Sequence, residues 1–371
     1  MKIIANISRI LVGLVFIFSG FVKGVDPLGT AYRMEDYMAA FGAHWADPLA
    51  LFLSIVLSAL EFTLGMAMLL NLRLKVLSWP LLVLMIFFTG LTLNDAIFNP
   101  VPDCGCFGDA IKLTNWETFY KNVVLMVLVI VIFAYRDKFK PWLMQVPGNL
   151  AVTVIFAGFT LFSVCQYRHL PMIDFLGWKV GNDMVPDNPG TEKVYLIYKN
   201  KSTGETREYL SPNYPWNDTT WVREWEFVDQ RIDDSGVIKG HTLAIFDSEG
   251  NELTEMFINN PGYQFLVVAY DLDRGSRKGF ETMDRLYGEI SGLGHSFVVL
   301  TGSLEDEINQ YREGLHPDLE FYHADDVELK MMVRANPGLV LLKDGVVMGK
   351  WHWRDVPGYE ELTEEFPGLT D

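Results

Sequence analysis

Five apolar runs within the first 165 residues constrain this chain more than any other feature. They extend from Ile4 to Val22, Pro48 to Leu70, Val76 to Phe98, Phe119 to Ala134 with its flanks, and Leu150 to Val164. A helix crossing a hydrocarbon core of about 30 Å needs roughly 20 apolar residues. A soluble core has no use for five such runs in succession. The pattern predicts a membrane-embedded α-helical bundle, with four spans over residues 1–140 and a fifth over 141–168. Lys2 and Arg9 precede the apolar stretch LVGLVFIF, but no small-x-small cleavage site follows. The first run is therefore expected to stay in place as a signal anchor.

Positive charge sets the expected orientation. Lys2 and Arg9, then Arg73 and Lys75, then Arg136, Lys138 and Lys140 all fall on one side if the spans alternate. The positive-inside rule makes that side cytoplasmic. The competing loops hold only Lys23 and Arg33, and Lys112 and Lys121. The expected location is thus the cytoplasmic (inner) membrane of a bacterium, multi-pass, with the N-terminus inside and the C-terminal part extracytoplasmic or periplasmic. Up to Arg168 there are 12 Lys and Arg against 10 Asp and Glu, which leaves 18 against 37 for the remainder. Such an acidic second half argues against nucleic acid or anionic headgroups as partners, because either would be repelled. The lipid bilayer is the expected partner of the first half.

The chain has three cysteines, two of them in NPVPDCGCFGDAIKLTNWETF, Asn99 to Phe119. Cys104 and Cys106 would lie on the side where disulfides persist. Residues i and i+2 of a bent backbone are about 5.5 to 7 Å apart at Cα, overlapping the disulfide window of roughly 4.4 to 6.8 Å. Gly105 between them makes the bend cheap. Such a small ring would be strained and easily reduced, which suits a shuttle. Three other readings stay open: inert thiols, a permanent turn-locking bridge, or a metal site using Asp103, Asp109 and Asp95. Two adjacent thiolates without a second Cys/His pair make an incomplete tetrahedral set, so no metal is assigned. Asp103, Gly105 and Asp109 are taken as the supporting loop.

In the second run, Ser54, Ser58, Glu61 and Gly65 form one helical stripe. Small residues there allow close helix approach. Glu61 needs another reason, since a carboxylate near the midplane marks a proton path, a buried partner or a ligand site. It is the expected proton or ligand site in the membrane. Gly13, Gly20 and Gly24 describe a packing face on the first run.

These residues carry a family resemblance. RILVGLVFIFSGFVKGVDP, the Glu61 and Gly65 pair in ALEFTLGMAMLL, and DCGCFGD followed by NWETFYKNVVL resemble the DoxX/MauE group of small membrane redox proteins over about residues 1 to 140. The resemblance implies a four-helix bundle linked to thiol or disulfide handling and electron transfer to a membrane quinone, often beside a thioredoxin-like partner. It points to Cys104 and Cys106 by motif and to Glu61 more loosely. It names no substrate, and no cofactor is certain.

After Arg168 the pattern turns soluble. Residues 169–261 read as a β-rich segment: KVYLIYKNKSTGETREYL as two runs around a turn, WEFVDQRI as another, and GHTLAIFDSEGNEL ending in a turn. Over 262–371 the order is β-α-β-α-β-α-β-β, an α/β arrangement with a mixed sheet. It resembles a thioredoxin fold, with Pro337 where that family keeps a cis proline and LLKDGVVMGKW as the closing hairpin. The turn YDLDRGSRKGF, where the family's Cys-x-x-Cys would stand, has no cysteine, and none follows Cys165. Of the remaining residues, Cys165 reads as a lone buried membrane cysteine and His352 as a surface-strand histidine. Asp325 or Asp326 reads as a helix cap.

Two function classes follow. In one, the chain is a membrane thiol-disulfide oxidoreductase coupled to quinone: a Cys104 thiolate attacks an external disulfide and Cys106 resolves the mixed species, while the C-terminal domain docks clients or a thioredoxin-like protein. In the other, it is a non-enzymatic envelope subunit, anchored by the bundle and binding an extracytoplasmic protein partner. Phosphate loops and Ser-His-Asp patterns are absent, which disfavours hydrolases.

Overall fold

The computed structural model describes residues 2–101, 104–140, 143–185, 193–210, 215, 218–233, 242–312 and 318–370. Asp103 of the expected cysteine loop lies outside them. Six helices make the first part: α1 (Lys2–Val25), α2 (Pro27–Ala40), α3 (Ala50–Leu70, preceded by a 3₁₀ turn), α4 (Leu74–Phe98), α5 (Asn115–Tyr135) and α6 (Gln145–Arg168). All except α2 are long and apolar enough to cross a membrane. Ile3, Ile7, Leu14 and Phe18 on α1, with Val83, Phe87, Val124 and Val127 on α4 and α5, stay exposed, an apolar surface that only a bilayer would cover. The chain is a multi-pass membrane protein.

Helix α1 lies along α3, α4 along α5, and α5 and α6 flank the central pair. The α1–α3 contact is close because it has little side chain in it. A Cβ at Gly20 would sit 2.5 Å from the Phe62 amide nitrogen, and one at Gly65 would sit 2.6 Å from the Ile17 nitrogen and 2.8 Å from the Gly13 carbonyl. Backbone atoms of this kind cannot swing aside. The expected stripe on α3 is buried throughout at Ser54, Ser58, Glu61 and Gly65.

Helix α2 stands where the sequence suggested only a loop. Its N-cap, Asp26, accepts from the Gly29 amide at 2.8 Å, and Pro27 opens the first turn. It lies between the bundle and the C-terminal part. Between α4 and α5 the cysteine loop turns twice through positive φ, at Gly105 (65°) and Gly108 (52°). The Gly108 amide donates to the Gly105 carbonyl at 3.0 Å. Thr114 and Glu117 then form a capping box that starts α5.

Strands β1 (Lys193–Asn200), β2 (Thr206–Leu210) and β3 (Trp225–Asp233), with helix α7 (Thr219–Glu224) before β3, form an antiparallel sheet in the order β2-β1-β3. The larger sheet uses β4 (Ile245–Phe246), β5 (Tyr263–Ala269), β6 (Ser296–Thr301), β7 (Glu320–Ala324), β8 (Gly338–Lys343) and β9 (Val346–His352). Its order is β4-β7-β6-β5-β8-β9, with β5, β6 and β7 mutually parallel and β4, β8 and β9 antiparallel to their neighbours. Helices α8 (Thr254–Ile258), α9 (Arg277–Ile290), α10 (Glu305–Arg312), α11 (Asp326–Met332) and α12 (Tyr359–Glu365) complete this part. Strand β5 is buried along its whole length because both faces are covered. Phe265 and Val267 meet Phe280 and Met283 of α9 on one face, and Leu266 and Val268 meet Trp178, Leu329 and Met332 on the other. The edge strand β4, and the bridge from Asp183 to Val346, bring chain from before residue 262 into this sheet. Asp325 caps α11, accepting from the Val327 and Glu328 amides.

Two local expectations change. His352 is 4% exposed, not a surface residue; it accepts from the Arg354 amide at 3.1 Å, and burial beside Arg354 lowers its pKa to about 4. Cys165 is exposed on the bundle surface rather than buried, because only part of α6 faces α3 and α1.

The close α1–α3 contact makes a direct prediction. Gly65→Ala should lower the thermal midpoint of the detergent-solubilised protein, in line with an overpacking cost of about 1–3 kcal/mol. Gly90→Ala, where an added Cβ meets nothing within 4 Å, should leave it unchanged. Equal midpoints for the two variants would mean that α1 and α3 are not in backbone contact.

Candidate functional site

The site is assembled around the cysteine loop. The Sγ atoms of Cys104 and Cys106 are free thiols 3.1 Å apart. Gly105 holds its left-handed conformation directly over Arg33, whose Cγ would lie 3.0 Å from any Cβ at that position.

Below the loop, α1 and α3 supply a buried polar cluster. Ser19 Oγ is 2.8 Å from both Glu61 Oε2 and the Cys106 carbonyl oxygen, and its single proton can serve one acceptor at a time. One turn further along α1, Lys23 Nζ contacts Glu61 Oε1 at 2.7 Å, with side-chain exposures of 7% and 1%. The carboxylate suspected from its depth in the second span therefore has a buried cationic partner. Lys121 of α5 lies over the Phe107 ring at 4.1 Å. Ser19, Lys23, Glu61, Cys106 and Lys121 border a cavity of about 30 Å³, enough for about one water. A membrane quinone does not fit this cavity.

The other side of the loop faces α2 and α4. Tyr37 donates to Asp95 Oδ2 at 2.6 Å and also adjoins Cys104; burial and then the nearby Cys104 push its phenol pKa up. Asp109 sits between two guanidinium groups, with Arg33 Nη2 at 3.6 Å and Arg334 Nη2 at 2.6 Å.

The two sulfurs are electrostatically unequal. Cys106 accepts a hydrogen bond from the Cys104 thiol, which lowers its pKa to about 6; burial opposes the shift, and Lys121 and Lys23 assist it. The same hydrogen bond, together with burial, pushes Cys104 up. The lowered pKa makes Cys106 the sulfur poised as thiolate. The Cys104 hydrogen bond contributes most to the difference, and Lys121 and Lys23, neither legible in the sequence as a neighbour of Cys106, add to it.

Of the expected site residues, Cys104, Gly105, Cys106, Asp109 and Glu61 come together here. Pro337 does not. It follows a cis Asn336–Pro337 peptide in the C-terminal part, against Gly279 of α9. Among the described residues, no three His, Cys, Asp or Glu side chains are grouped to hold a metal ion. Ser19, Lys23, Tyr37, Lys121 and Arg334 were missed. Lys23 had a signal, because it follows Ser19 by four residues on one helix face and a carboxylate in the membrane calls for a partner.

A multi-pass bundle with a thiol pair at one end defines the class of protein. Residues 1–135 match the family profile of the methylamine utilisation protein MauE. Protein TlpB of Flavobacterium psychrophilum is 27% identical over 134 residues, which are 35% of this chain and 36% of that protein, so the similarity spans about a third of the relative's length. No solved structure matches.

Two expectations follow from the geometry. Lys23→Met, which leaves Glu61 buried without its cation, should destabilise the bundle by about 3–5 kcal/mol, and the double variant with Glu61→Gln should recover most of that loss. Additive losses in chemical-denaturation or thermal melts would show that the two groups are not coupled.

The depressed Cys106 pKa means that its thiolate, and the alkylation rate that depends on it, is full above about pH 7 and falls as pH drops through 6. Iodoacetamide labelling read by peptide mass spectrometry should give that midpoint for Cys106 and leave Cys104 slow. Cys104→Ala should move the midpoint upward. An ordinary midpoint near 8.5 in the wild type would remove the asymmetry.

Proposed function

We propose that this chain exchanges thiols and disulfides with extracytoplasmic protein clients through Cys104 and Cys106. The observation that carries the reading is the juxtaposition of two free sulfurs at 3.1 Å with two lysines and a hydrogen-bonded neighbour on one of them. Stabilising one thiolate favours the dithiol form and makes Cys106 the better leaving group. The pair therefore acts as an oxidant. A client thiolate attacks Cys104 in the Cys104–Cys106 disulfide, forms a mixed disulfide and expels Cys106 as thiolate. The client's second thiolate then attacks its own sulfur in that mixed disulfide. It leaves with a client disulfide, and Cys104 departs as a thiolate that takes up one of the two protons lost by the client, the other passing to solvent. Two electrons have moved to the pair, and exchange with a more oxidising disulfide returns it to its starting state.

The N-terminus is read as cytoplasmic and the cysteine loop as extracytoplasmic, on the charge asymmetry of the loops, in the inner membrane of a bacterium. The C-terminal sheet is read as thioredoxin-like, supported by its β-α-β-α-β-α-β-β order and the cis Asn336–Pro337 peptide. Having no cysteine, it would dock clients or partners rather than exchange with them. That same absence favours a second reading, in which the chain is a non-enzymatic envelope subunit that binds a partner protein.

The test is the redox state and necessity of the pair. Rapid acid quench and alkylation of native membranes should find Cys104 and Cys106 joined in part of the population. A mild dithiol should open the bond, and Cys104→Ser or Cys106→Ser should each abolish oxidation of a dithiol peptide while the bundle stays assembled. Free thiols under all conditions, with a fully functional double Ser variant, would leave the subunit reading in place.

A further inference from the structure

We infer that Arg334, carried by the C-terminal part, is a positioning residue for the cysteine loop: its guanidinium clamps Asp109 to Asp26 and so holds Cys106 against Lys23 and Lys121. The inference rests on the thiol-disulfide reading above. It assigns the cysteine-free C-terminal part a charge, not a thiol, as its contribution to the site.

The geometry is that of a buried fork. Arg334 Nε contacts Asp26 Oδ2 at 2.9 Å, Nη2 contacts Asp109 Oδ2 at 2.6 Å, and Nη1 donates to the Lys330 carbonyl at 2.6 Å. All three nitrogens are engaged, and the residue is 4% exposed. Its pKa stays raised even though burial opposes charging, because Asp26 and Asp109 outweigh it. The approach depends on an empty position: a Cβ at Gly29 would lie 2.7 Å from Arg334 Nη2.

The two carboxylates belong to different parts of the site. Asp109 stands three residues after Cys106, just beyond the Gly105–Gly108 turn. Asp26 caps α2, the helix whose Tyr37 adjoins Cys104. One guanidinium thus fixes the loop and the helix on either side of the sulfur pair, and Arg33 meets the second oxygen of Asp109 at 3.6 Å.

The other contacts between α2 and the C-terminal part look different. Arg274 meets Glu35 at 2.9 Å with 55% of its side chain exposed, and the Tyr32 and Tyr270 hydroxyls meet at 3.0 Å. An exposed ion pair such as Arg274–Glu35 contributes little, and the tyrosine pair carries no charge. Burying a guanidinium is justified by what it orders, and among the described residues of the C-terminal part it is Arg334 that contacts Asp109 beside the cysteine pair.

The experiment uses the full chain in lipid nanodiscs, with a synthetic dithiol peptide as probe. Arg334→Gln should raise the pH midpoint of Cys106 alkylation by roughly one unit or more, toward the ordinary thiol value near 8.5, and should slow peptide oxidation about tenfold. Arg334→Lys, a point charge without the fork, should restore part of both. Asp109→Asn should act in the same direction, and its combination with Arg334→Gln should be no worse than either alone.

If Arg334→Gln loosens the C-terminal part to limited proteolysis yet leaves midpoint and rate within twofold of wild type, Arg334 is a docking contact only and the inference is overturned. Should that variant fail to accumulate, Asp109→Asn decides the matter, because it keeps the Arg334–Asp26 pair; a wild-type profile there is equally fatal. A wild-type protein with an ordinary Cys106 midpoint and no peptide oxidation refutes the redox reading itself, a result separable from either of these.

Discussion

The Lys23–Glu61 pair is the interaction on which the rest of the site depends. An isolated charge in this setting would cost several kcal/mol, and neither residue could remain buried without the other. Their 2.7 Å contact joins α1 to α3 where Gly20 and Gly65 have already removed the side chains that would keep the helices apart. Ser19, four residues before Lys23, then lies within hydrogen-bond reach of both the same carboxylate and the Cys106 carbonyl. Close packing, charge neutralisation and placement of the cysteine loop are therefore one arrangement.

That arrangement makes the two sulfurs unequal. Cys106 lies near Lys121 and Lys23, while Cys104 stands beside Tyr37. The hydrogen bond from Cys104, with Lys121 and Lys23, overcomes the burial and the Glu61 carboxylate that would otherwise raise the Cys106 pKa. A pair in which one sulfur is held as thiolate and the other as its proton donor is suited to exchange, in a way that two equivalent buried thiols are not.

The C-terminal part meets the bundle through polar contacts on α2, the sort of interface across which relative motion is the ordinary expectation. Arg334 is its exception. It sits in a closed electrostatic set with Asp26, Asp109 and Arg33, two charges of each sign, so its burial leaves no net charge behind. The cis Asn336–Pro337 peptide and a cavity of about 320 Å³ lined in part by Asn336, Tyr32 and Tyr270 lie on this same face. That cavity lies between α2 and the C-terminal part, next to the tyrosine pair that joins them.

The local features were legible because they are written in adjacent residues. Apolar runs of sufficient length marked the five membrane helices, the β-α order of the last hundred residues marked β5 to β9, and a Cys-Gly-Cys stretch marked the loop. The spacing of Ser54, Ser58, Glu61 and Gly65 already placed Glu61 on a packed face. What only the tertiary structure decided is which distant charges meet. Lys23 and Glu61 are 38 residues apart, and Arg334 is 225 residues from Asp109 and 308 from Asp26; no periodicity reports such pairings. Lys23 counted as a loop charge because it ends an apolar run, and Arg334 was one basic residue in an acidic half. His352 looked superficial because strand alternation says which face a residue takes, not what covers that face. The sequence by itself determined the five membrane helices, the strands and the place of the cysteine pair, all of which depend on short-range pattern and burial. The order of reactivity within that pair was decided by folding, since a thiol's pKa depends on the charges brought within a few ångströms of it, and those come from three separate stretches of chain.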